Sequence, residues 1–313
     1  MVNNKTYMCC PNCDEPLEND WDECPVCQIR LRIPSIVCPN SNCGREVKEH
    51  WHVCPWCKSA LTVDKVASVQ KSLSMEFVEI PQGEFMMGCD EGEVCERPAH
   101  MVKISEFKIQ TTPVTQAQYR AVLGKNPSHF KGDNLPVESI TWYGAASFCN
   151  KLSDMVGLKS CYHPTSYKCD FDNDGFRLLT EAEWEYACRA GTHTKYWTGN
   201  SDYFGDNHEN NLDHAAWYRH TVGEGTHPVG EKKPNPWGLF DMHGNVSEWC
   251  NDWHGFEYYK KSPVSDPQGP EKGYNHIIRG GSWNTFSLGC SSYARSYCGV
   301  DKSDEVGFRI VRR

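Results

Sequence analysis

The stretch GFRLLTEAEWEYACRAG, residues 175–191, decides how this sequence folds. Thr180 is placed to cap a helix, Glu183 three residues on completes a capping box, and Gly191 supplies the stop. A second helix is predicted over TPVTQAQYRAVLG, with Thr112 as cap, Pro113 in the first turn and Gly124 as terminator. TWYGAASFCNKLSDMVG reads as a third. Everything else after residue 75 is aromatic, glycine-rich and full of turn signals. That pattern predicts an α+β domain in which loops and short strands outweigh regular elements.

Upstream the character is different. Cys10-Pro-Asn-Cys13 and Cys24-Pro-Val-Cys27 form one set of paired cysteines, and Cys38-Pro-Asn-Ser-Asn-Cys43 with Cys54-Pro-Trp-Cys57 form another. Ten residues separate the pairs within each set, and Trp21 and Trp51 keep the same place at a period of thirty. Four soft thiolates on two short knuckles suit one tetrahedral Zn²⁺, so Cys10, Cys13, Cys24 and Cys27 are assigned to one structural zinc, and Cys38, Cys43, Cys54 and Cys57 to a second. So small a module has too little core to fold without such a staple. The organisation is therefore a double zinc ribbon over 1–57, a linker or short helix over 58–74, and a larger domain over 75–313.

Composition narrows the function. The 313 residues carry a net charge of −9 and no basic run, which disfavours nucleic acid as a partner. No apolar stretch is long enough to span a bilayer. Half of the 18 cysteines lie within residues 9–57 in metal-ligand pairs, and the N-terminus carries no apolar leader, so a reducing, cytoplasmic setting is expected. DFDNDGFRLLTE, residues 170–181, spells an EF-hand loop, but CYHPTSYKC ahead of it cannot form the required helix and Arg177 takes an apolar position. It reads as an Asx-rich turn. His163, His193, His214, His227, His243 and His254 are scattered without ligand spacing.

Residues 76–313 resemble the formylglycine-generating enzyme family, also called sulfatase-modifying-factor proteins. The resemblance rests on FVEIPQGEFMMG, the run from Pro113 to Ser153, GFRLLTEAEWEYACRAG, THPVGEKKPNPWGLFDMHGNVSEWCNDW, IIRGGSW and VGFRIV, in family order. It implies a C-type-lectin-like fold. The family's oxidase converts a peptidyl cysteine to formylglycine with Cu(I) held between two thiolates, a linear soft-donor site. Here the two ligand positions fall on Thr285 and Cys290, Ser282 matches a serine of the oxygen pocket, and a pocket tryptophan is replaced by Ser247. A hydroxyl is a poor Cu(I) ligand, so oxidase chemistry would need Cys298 or an external thiol as substitute. The resemblance also implies a calcium loop at Asp241, Glu248 and the carbonyls of Gly244 and Val246. A second calcium site at Asn211 and Leu212 lacks its acid, which falls near Thr221.

Residues 284–301, NTFSLGCSSYARSYCGVD, contain no Lys, Glu, Gln, Met or Trp. Every type present is reachable by changing adenines in an Asn codon, and the segment resembles the variable region of diversity-generating-retroelement proteins. Ser292 and Arg295 would then be scaffold, while Thr285, Phe286, Leu288, Gly289, Ala294, Ser296, Tyr297, Cys298 and Gly299 would vary. Tyr and Phe among Ser and Gly make a paratope-like mixture. The expected ligand surface comprises Trp283, Thr285, Phe286, Leu288, Tyr293, Ser296, Tyr297 and Gly299. Three functions follow: a non-catalytic module that binds a ligand or protein, with the ribbons as partner adaptor; a copper-dependent oxidase using Cys290; or a regulatory subunit of a larger complex.

Overall fold

The computed structural model describes residues 8–9, 16–17, 35–37, 43, 45–48, 57, 64–200, 211–219, 221, 223–299 and 302–313. The chain divides into two units, Met1–Asp64 and Lys65–Arg313. In the first, β1 (Met8–Cys9) pairs antiparallel with β2 (Pro16–Leu17), and β3 (Ser35–Val37) with β4 (Glu46–Lys48). Of the eight cysteines assigned to zinc, only Cys43 and Cys57 belong to the described residues, so the ribbon expectation lies outside them.

The second unit opens with α1 (Lys65–Ser72), whose Val66 and Val69 pack on the domain core together with Leu73. The short-helix alternative for the segment 58–74 is thus realised over its second half. Next come β5 (Phe77–Ile80), β6 (Gly83–Met87), β7 (His100–Ile104) and β8 (Phe107–Gln110), followed by α2 (Gln116–Leu123) and α3 (Trp142–Val156). After β9 (Arg177–Leu178) and α4 (Glu181–Arg189), the strands are β10 (Ala216–Trp217), β11 (His243–Gly244), β12 (Ser247–Trp253), β13 (His276–Arg279), β14 (Ser296–Cys298), β15 (Val306–Gly307) and β16 (Ile310–Arg312). Two four-stranded sheets result, ordered β14-β13-β12-β15 and β5-β8-β16-β9. One apolar cluster gathers Phe148, Tyr162, Phe176 and Phe308 around α3, and another gathers Trp184, Ile277 and Val311 around α4.

The first expected cap is corrected. α2 starts after Thr115, whose hydroxyl accepts the Gln118 N–H while Gln118 reaches back to the Thr115 N–H. Thr112 is not the cap, because Val114 donates to the Phe308 carbonyl and accepts from Val137, holding that stretch in cross-chain pairing. Thr115→Ala should therefore cost about 1 kcal/mol in a denaturant titration, with Thr112→Ala nearly silent. Gly124 ends α2 at φ 70°, as expected. α4 is capped by Thr180 with Glu183, but its left-handed residue is Ala190, one before the predicted Gly191.

All nine residues of α4 are buried, four of them charged. A helix like this survives only if each charge meets a partner. Glu183 takes both Arg177 amines at 2.7 Å, Glu185 pairs with Arg189 and Arg279, and Glu181 pairs with Arg295. This disposes of the EF-hand pattern geometrically. Glu181, which would close the loop, faces arginines, while Asp170 accepts the Asp172 N–H and Asp174 accepts the Lys159 N–H.

Candidate functional site

The segment after β13 returns on itself before forming β14, the edge strand of its sheet, with Ile278 opposite Ser296 and His276 opposite Cys298. Its buried residues anchor it from below. Arg279 donates to the carbonyls of Ala294 and Ser292 while pairing with Glu185. Arg295 is clamped by Glu181, and its backbone N–H donates to Glu96 at 3.1 Å. Ser292 donates its N–H to Lys195. With this floor fixed, Phe286, Leu288 and Tyr297 stand outward, exposed at 56%, 58% and 54%.

They line a cavity of about 790 Å³. Thr285, Phe286, Leu288, Tyr293, Ser296 and Tyr297, six of the eight expected ligand residues, lie on its wall. Trp283 does not; it packs edge-on against Phe130 and donates to the Asp304 carbonyl. Gly299 also falls outside the lining. Ser247 opens onto the cavity where the family tryptophan would have stood. The opposite wall, Glu91 to Arg97, comes from the long connection between β6 and β7 and was not foreseen. Its only advance signal is the acidic run CDEGEVCE. At Gly92 a Cβ would stand 2.2 Å from Glu96 Oε2, so a side chain there would have to displace that carboxylate.

The structure sets the residues at the copper-ligand positions in different surroundings. Thr285 lines the cavity, but its hydroxyl is tied to Ser282, accepting the Ser282 N–H and lying 2.9 Å from Ser282 Oγ. Ser282 is fully buried and donates to Glu305. Cys290 is fully buried behind the loop with Tyr196, Leu212, Ala216 and Tyr218, and burial pushes its thiol up to about 12. Cys298 lines the cavity and packs against the α3 cluster instead. Cys290 thus sits in one apolar cluster and Cys298 against another, while Thr285 offers a hydroxyl, a harder donor than Cu(I) prefers.

The calcium set fits in one part and conflicts in another. Asp241 is buried, accepts the Gly230 N–H through Oδ2, and leaves Oδ1 without a hydrogen-bond partner. Desolvation raises its carboxyl to about 6, a cost that a cation would relieve. Glu248, however, gives both oxygens to Arg309 and receives the Trp184 indole N–H. Gly244 and Val246 lie on the same buried turn. At the second expected site, Thr221 bonds to Tyr218 and Ala216, with no acid in its place. Among the described residues, no cluster of three or more His, Cys, Asp or Glu is arranged to hold a metal, and no helix is long and apolar enough to cross a membrane.

Comparison with known proteins agrees with this geometry. Residues 63–313 match the sulfatase-modifying factor enzyme 1-like domain. The chaperone protein LppX of Paenibacillus barcinonensis is 35% identical over 249 residues, covering 67% of this chain and 81% of that protein. The formylglycine-generating enzyme of Thermomonospora curvata is 37% identical, covering 77% and 94%. Among solved structures, Treponema denticola variable protein 1 superposes with a TM-score of 0.69 at 33% identity, over 76% of this chain and 95% of its own. A C-type-lectin-like α+β fold, the preserved motifs and these relatives converge: the chain belongs to the sulfatase-modifying-factor, or formylglycine-generating enzyme, family.

Proposed function

We propose that this protein is a non-catalytic binding module, in which the family scaffold presents a ligand surface around residues 283–301. The observation that carries the reading is the division of labour within one short segment. All nine positions expected to vary are exposed or half-buried, whereas Cys290, Ser291, Ser292 and Arg295 are buried. Such a division lets surface chemistry change while the fold stays put. Similarity to a chaperone and to a protein named as variable supports it, as does the mismatch between Thr285, Cys290 and a two-thiolate site. The zinc ribbons serve as the adaptor to a protein partner in the cytoplasm, and calcium at Asp241 would stiffen the neighbouring turn without taking part in recognition.

A turnover assay tests the reading. Zinc-loaded protein is given Cu(I), oxygen and a peptide containing Cys-x-Pro-x-Arg, with a working family oxidase beside it. The expected outcome by mass spectrometry is an unchanged peptide. Conversion of the cysteine, abolished by Cys290→Ser, would replace the binding reading with the oxidase one.

A further inference from the structure

The wall of the cavity carries a pair of thiols that the binding reading does not use. Cys89 and Cys95 bracket the acidic turn between β6 and β7, and Glu91, Gly92, Glu93 and Glu96, between and beside them, line the cavity. Among the described cysteines of Lys65–Arg313, Cys149, Cys161, Cys188, Cys250 and Cys290 are buried, and Cys169 and Cys298 pack against the α3 cluster. Cys89 and Cys95 are half-buried and belong to none of the apolar clusters. A dissolved oxidant can therefore reach them without unfolding the domain.

The backbone folds the pair together. Cys89 donates its N–H to the Glu96 carbonyl at 3.0 Å. Gly88, at φ 88°, lets the chain meet itself there, since a Cβ would stand 2.5 Å from the same oxygen. Between these ends the chain turns at once: Gly92 donates to the Cys89 carbonyl and Glu96 to the Glu93 carbonyl, at 3.1 and 2.9 Å. Residues bonded across in this way have Cα atoms about 5.5 Å apart, and a disulfide spans about 4.4–6.8 Å. Cys95 is the neighbour of Glu96, so a small adjustment of the Val94–Glu96 turn brings its sulfur to Cys89. Burial raises the Cys95 thiol, and the nearby Arg295 guanidinium, which also donates to the Cys95 carbonyl, opposes that rise by favouring the thiolate.

We propose that Cys89 and Cys95 form a reversible disulfide that locks the acidic wall of the cavity. Cys89 attacks one sulfur of a disulfide oxidant such as oxidised glutathione and releases one glutathione. Cys95 then attacks the Cys89 sulfur and releases the second. Two protein thiols are oxidised, one glutathione disulfide is reduced to two thiols, and the two protein protons end on the departing glutathiones. In a reducing compartment the pair stays open and closes only under oxidation, the behaviour of a sensor and not of a staple. Glu96 accepts the Arg295 N–H at 3.1 Å, so closing the ring fixes the wall against the segment that leads into β14. The switch does not depend on what the cavity binds.

Mass spectrometry of the full-length protein tests this. Trypsin does not cut after Arg97 because Pro98 follows, so residues 72–103 leave as one peptide whose only cysteines are Cys89 and Cys95. After incubation with oxidised glutathione that peptide should be lighter by the two lost hydrogens and take no alkylating label, and dithiothreitol should restore both properties. Cys95→Ser should stop at a glutathione adduct on Cys89. Hydrogen exchange over residues 91–96 should slow by about tenfold in the oxidised protein. Both cysteines still open to alkylation, stable glutathione adducts on the wild-type pair, or exchange in the wall unchanged by oxidation would overturn the proposal. None of these readouts involves turnover of a peptide, so failure here leaves the binding reading standing.

Discussion

Arg279→Met is expected to lower the unfolding free energy by about 3–5 kcal/mol, the cost of leaving three buried hydrogen-bond acceptors without their donor. Arg279 is 1% exposed and sits at the crossing of the sheet, α4 and the ligand segment. Removing its guanidinium leaves Glu185, itself fully buried, with Arg189 alone, and frees the Ala294 and Ser292 carbonyls. The methionine fills comparable space, so the loss is one of charge and hydrogen bonding and not of volume. Alanine at Phe286, Leu288 or Tyr297 should by contrast change stability by no more than about 1 kcal/mol, since more than half of each residue is in solvent and what Phe286 and Tyr297 give up is surface stacking, such as that with Arg219 and His254. Chemical denaturation of the four variants measures both halves. If the surface alanines cost as much as Arg279→Met, the segment is a packed loop and its composition has no bearing on display.

The same contrast explains what could be read from the chain before folding. The Thr180–Glu183 box was legible because a cap and its partner lie three residues apart and answer only to each other. Thr115 with Gln118 three residues on spells the same box and was legible in the same way; Thr112 drew the reading because of Pro113 beside it, and the Phe308 carbonyl holds that stretch outside the helix. Within the site, Thr285 through Tyr297 stood out by composition, and six of the eight expected ligand positions reach the cavity. The acidic wall did not, because its place is set by Glu96 accepting the N–H of Arg295, 199 positions away. Trp283 misled for a related reason: a large aromatic beside a binding loop reads as an anchor until Phe130 is found beneath it.

Acid should loosen the edge strand of the site through His276. The imidazole is 1% exposed and lies flat between Trp142 and Trp253, with ring centres 4.0 and 3.7 Å away. One ring nitrogen, Nδ1, contacts the Asp252 carbonyl at 3.2 Å, and Nε2 has no partner. Burial lowers its pKa to about 4, against about 6.5 in an unfolded chain. Between those values the unfolded state binds the extra proton, so stability rises with pH. The histidine's contribution is intact above pH 6.5 and is lost as pH falls toward 4. The shift corresponds to about 3 kcal/mol, from which the attraction of two indole faces for an imidazolium subtracts about 1 kcal/mol. Asp241, raised to about 6, runs the other way over an overlapping range, so the whole-protein profile mixes both signs. The difference between wild type and His276→Phe isolates the histidine, because phenylalanine keeps the stack and cannot titrate. That difference should move by about 2 kcal/mol in favour of the variant from pH 7 to pH 4. His276 is the cross-strand neighbour of Cys298, so hydrogen exchange in wild type should rise at Ser296–Cys298 over the same interval. A pH-independent gap would mean that the imidazole is reached by water and that the strand bearing Tyr297 is held by something other than this stack.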